Sequence, residues 1–63
     1  MSTVLDELTQ ALAIADLELE VVAWQSTRRR ALLEHDRRGA EHAQARLDRA
    51  LDSLAAEYER AKR

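Results

Sequence analysis

Cysteine is absent, so no disulfide can staple this chain and no thiol can serve as nucleophile or metal ligand. Proline and phenylalanine are also missing, and Gly39 is the single glycine. β-Strands joined by hairpins need turn residues that recur along the chain, so these absences exclude an ordinary sheet. No run of about eighteen uncharged apolar residues is present, which argues against a membrane span, and no basic region precedes an apolar stretch at the N-terminus. The expectation is a soluble, cytoplasmic protein. Aromatic residues are limited to Trp24 and Tyr58. A chain of 63 residues without disulfides buries too little surface to be comfortably stable alone, and self-association is the obvious remedy.

Basic residues are missing from one whole arm. Residues 1–27 contain Asp6, Glu7, Asp16, Glu18 and Glu20 but no lysine or arginine, whereas residues 28–38 concentrate Arg28, Arg29, Arg30, Arg37 and Arg38. The remainder balances acids against bases, giving an acidic arm, a basic middle and a neutral tail. Arginine outnumbers lysine, which points to a GC-rich bacterial or phage genome.

What the sequence does contain is helix. Thr3 followed by Asp6 has the spacing of a capping box, placing a helix start near Thr3. Leu5, Leu8, Leu12, Ala15, Leu19 and Val22 then recur at alternating intervals of three and four, the seam of a coiled coil, and Met1 and Val4 widen that face. A second row, Ile14, Leu17, Val21 and Trp24, lies nearly opposite the first at about 100° per residue. A helix apolar on two sides must touch two things.

Gly39 follows Arg37 and Arg38 as a helix C-terminal cap would, so the spacing predicts a first helix over about 3–37, a turn near Gly39 and a second helix over about 41–63. A competing reading breaks the chain at Gln25, Ser26 and Thr27, leaving a short middle helix. The second helix carries one apolar stripe through Ala40, Ala43, Leu47, Leu51, Leu54, Tyr58 and Ala61. Folding back at Gly39 would set Leu47 near Leu32 and Leu33, and Leu54 and Tyr58 near Trp24. The second interface is thus expected from Ile14, Leu17, Val21, Trp24, Leu47, Leu51, Leu54 and Tyr58.

Chemistry-bearing groups are sparse. Two helices enclose no desolvated cleft, the serines have no histidine at a useful helical spacing, and an enzyme is not expected. His35 and His42 flank the expected turn beside Asp36, but their seven-residue interval matches no standard zinc spacing, so neither metal nor cofactor is expected. Arg28, Arg29, Arg30, Arg37 and Arg38 are the candidate polyanion contact. Consecutive arginines on a helix point in different directions and form a collar more readily than a groove-reading face.

Two short resemblances bear on the turn. Trp24-Gln25-Ser26 resembles the Trp-x-Gly turn of the WXG100 helical hairpins, with serine in place of glycine and Lys62 where an acid would follow Tyr58. Gly39, Ala43, Leu47 and Ala50 are similar to the helix-to-helix junction of a tetratricopeptide unit, one residue short, which implies a hairpin turn and no array. The expected fold is therefore all-α: an antiparallel, coiled-coil-like helical hairpin dimerising into a four-helix bundle. Its expected role is that of a small adaptor, regulator or inhibitor binding proteins, itself above all, with neither membrane nor small-molecule substrate. The second reading is a nucleic-acid-binding protein using the arginines.

Overall fold

A computed structural model of the chain describes residues 3–62, so Met1, with its expected share in the seam, lies outside the described residues. Two helices, α1 (Thr3–Leu33) and α2 (Arg37–Ala61), pack along their length as an all-α hairpin with dimensions of 52 × 15 × 12 Å. No strand occurs among the described residues.

The reversal falls at Glu34–Asp36, earlier than Gly39. His35 is the left-handed residue, with φ of 59°. Its N–H donates to the Leu32 carbonyl at 3.2 Å, and the Asp36 N–H donates to the Ala31 carbonyl at 2.7 Å. These are the paired bonds of a Schellman C-cap, satisfying carbonyls that the end of α1 would otherwise leave bare. Asp36 then serves the next element as well, because its Oδ1 accepts from the Gly39 N–H at 2.9 Å as the N-cap of α2.

Gly39 is consequently no C-cap. It sits in the first turn of α2, and no glycine has positive φ. Its smallness matters for another reason: a Cβ here would meet the Asp36 carboxylate, with Cγ only 2.8 Å away and Oδ2 closer still. The reversal thus comes about four residues before the position read from the glycine, which slides α2 along α1 by roughly two helical turns. Nor does the chain break at Ser26. Helix α1 runs straight through, with the Thr27 hydroxyl donating back to the Ala23 carbonyl at 3.0 Å. Trp24-Gln25-Ser26 is mid-helix, and Gly39 through Ala50 lie within α2, so neither short resemblance marks the turn.

Two expected results follow. His35→Gly should stabilise the hairpin by up to about 1 kcal/mol in chemical denaturation, because glycine enters the left-handed region without the Cβ penalty. At Gly39 the outcome depends on Asp36. In the wild type, Gly39→Ala gains about 1 kcal/mol of helix propensity but displaces a cap worth about 0.5–2 kcal/mol, leaving little net change. With Asp36→Ala already made, the same Gly39→Ala should stabilise by about 1 kcal/mol. A double-mutant cycle reads this coupling directly.

Candidate interaction surfaces

The core between the helices is thin. The buried apolar residues are Ala31, Ala40, Ala43, Leu47 and Ala50, with Ala43 fully enclosed. Ile14, Leu17, Val21 and Trp24 on α1 and Leu54 on α2 are half-buried along the same contact. Alanines on α2 give the bulkier α1 side chains room for close approach. The inner edge of α2 passes through Ala50 and the half-buried Glu57, while Leu51 and Tyr58 stand on its flank, 43% and 44% exposed.

The altered register also changes the aromatic partners. Trp24 meets the His42 ring edge-on, with centroids 5.8 Å apart and planes at 79°. Tyr58 does not approach Trp24 as a turn at Gly39 would require; its hydroxyl donates to Glu18 Oε2 at 3.4 Å. At the open end the Gln10 amide donates to the Glu57 carbonyl at 3.3 Å, and the Glu57 carboxylate pairs with Arg60 at 3.1 Å. With that polar closure α2 engages α1 from Gln10 onward.

The face of α1 turned away from α2 is wide open. Leu5, Leu8, Leu12, Leu19 and Val22 are each 57–68% exposed, and Ala15 is exposed among them. Val4 extends this edge at one end, and Leu33, 76% exposed, falls on the same heptad positions beyond Ser26 and Arg29. Asp16 and Glu18 border the edge.

Arg28, Arg29, Arg30, Arg37 and Arg38 ring the turn end, all exposed. Arg37 pairs with Glu41 at 3.6 Å, and the other four make no ion pair among the described residues. Beside them lies an open cleft of about 460 Å³ lined by Arg28, Leu32, His35, Asp36, Arg37, Ala40, Glu41 and Gln44. Among the described residues no three His, Asp or Glu side chains converge as metal ligands, and His42 is turned to Trp24. No described helix is long and apolar enough to cross a membrane. Compared with protein families, curated proteins and solved structures, the chain shows no significant match.

Proposed function

We propose that this chain is a non-enzymatic interaction module of the cytoplasm, an adaptor, regulator or inhibitor that works by helix-to-helix packing and joins a second copy of itself as a four-helix bundle. The observation that carries this reading is the exposed leucine and valine edge of α1, set on a hairpin whose own core is mostly alanine. Fully burying a leucine or valine is worth about 1.5–3 kcal/mol, so covering the exposed part of each seam residue is worth about 1–2 kcal/mol. Summed over both copies, this gain is of the same order as the ~4–15 kcal/mol cost of association. A reversible, concentration-dependent dimer is the expected form.

The test is a thermal melt followed by circular dichroism across a wide range of concentration, with mass by light scattering. The midpoint should rise with protein concentration because assembly draws on the folded state alone. A monomeric mass with a midpoint indifferent to concentration would overturn the reading.

A second reading rests on the four arginines at the turn end that have no acidic partner among the described residues. If they hold phosphate, short oligonucleotides should bind the wild type with an affinity that falls steeply with salt. Replacing Arg28, Arg29, Arg30 and Arg38 with glutamine should then abolish binding. Leucine-driven assembly has no such salt loss, so the two readings separate in one titration.

A further inference from the structure

The two apolar faces of α1 lie about 180° apart: Leu8, Leu12 and Leu19 on one side, Leu17, Val21 and Trp24 on the other. In a square four-helix bundle each helix touches neighbours roughly 90° apart, which these faces do not provide. We infer that two copies join seam to seam as a flat layer in the order α2, α1, α1, α2. The two α1 helices run antiparallel, with Leu5 against the partner's Val22, Leu8 against the partner's Leu19 and Leu12 against the partner's Ala15. This rests on the self-association proposed above, gives its four helices a layered arrangement in place of a square one, and fixes their orientation and register.

Three observations select that register. Read forward from Leu5 the seam intervals are three then four, and read backward from Val22 they are again three then four, so each of the six seam residues from Leu5 to Val22 meets an apolar one. Parallel pairing would instead set each seam residue against its own copy and bring Arg29 onto the partner's Arg29. Sliding the antiparallel pair one heptad further would oppose Leu5 to the partner's Arg29, Asp16 to the partner's Asp16 and Glu18 to the partner's Glu18. In the chosen register Asp16 faces the partner's Thr9 and Glu18 the partner's Ala11, and no like charges meet across the seam.

The seam residues alone supply a large part of the area needed. At 57–68% exposure, Leu5, Leu8, Leu12, Leu19 and Val22 each leave on the order of 60 Å² of apolar surface to be covered. Over two copies that supplies roughly half of the ~1,200 Å² at the lower end for a specific interface, before the bordering residues contribute.

Absence of native cysteine makes the register directly readable. Thr9→Cys and Asp16→Cys variants, both altered at exposed positions beside the seam, are mixed and equilibrated with oxidised glutathione, and the covalent species are weighed by mass spectrometry. The mixed disulfide, joining the Thr9→Cys variant to the Asp16→Cys variant, should exceed either like-with-like species roughly tenfold, because like positions sit about 10 Å apart along the axis. A parallel pair would instead link Asp16→Cys with Ala11→Cys. A dimer by light scattering that prefers that second combination, or like-with-like bonds, overturns the register and leaves self-association standing. A protein monomeric at every concentration overturns both.

Discussion

Leu47→Ala should unfold the hairpin at protein concentrations where the wild type is fully helical. Leu47 is the one large side chain among the buried residues described, and its neighbours along the inner edge of α2, Ala43 and Ala50, are too small to fill the space it leaves. Removing such a group costs about 2–5 kcal/mol. The total stability of a chain this size is about 3–9 kcal/mol at the usual value per residue. A single truncation therefore takes a large share of the total. Leu51→Ala, one turn away on the flank, removes the same atoms from a site 43% exposed and should cost under about 1 kcal/mol. Denaturant titrations of the pair read the difference, and equal losses would contradict the packing register described for α2.

Leu19→Asp should separate the proposed dimer without attacking the hairpin. Residue 19 is 68% exposed on the isolated hairpin, where an aspartate is solvated and nearly harmless. In the assembled seam the same carboxylate would be buried against leucine, once from each copy, without a partner to neutralise it. A loss of about 3 kcal/mol raises the dissociation constant roughly a hundredfold. Sedimentation equilibrium should show a monomer, and the variant at high concentration should melt where the wild type melts at great dilution. A Leu19→Asp protein that remains dimeric would place the interface elsewhere.

The helical hairpin was legible because its evidence is redundant: missing strand punctuation, heptad spacing and one-sided α2 all agree. The position of the reversal was not, because two local signals compete there. Gly39 after two arginines resembles a C-cap, but the left-handed site went to His35. The decisive signal was Asp36, the sole Ser, Thr, Asp or Asn from residue 28 to residue 47 and so the one side chain able to cap a helix beginning in that stretch. With the turn misplaced, every cross-helix pairing read from it moved too, including the approach of Tyr58 to Trp24. The choice of Ala50 over Leu51 for the inner face was hidden for a different reason. Ala50 sits beside Leu51 at the edge of the apolar stripe read through Leu47, Leu51 and Leu54, and only the close approach of a bulky partner helix favours the smaller residue.

The polar closure at Gln10 and the capped turn at Asp36 clamp α1 near both ends, and the alanine edge of α2 supports it between them. In isolation a long helix in water frays and samples many shapes, each of which must be given up on docking. Here α2 works as a splint. Its inner edge is mostly alanine, yet it holds the leucine edge straight, so docking with the partner proposed for that edge would surrender less disorder at the moment of contact. A slender second helix with small residues inside and charges outside is sufficient for that task.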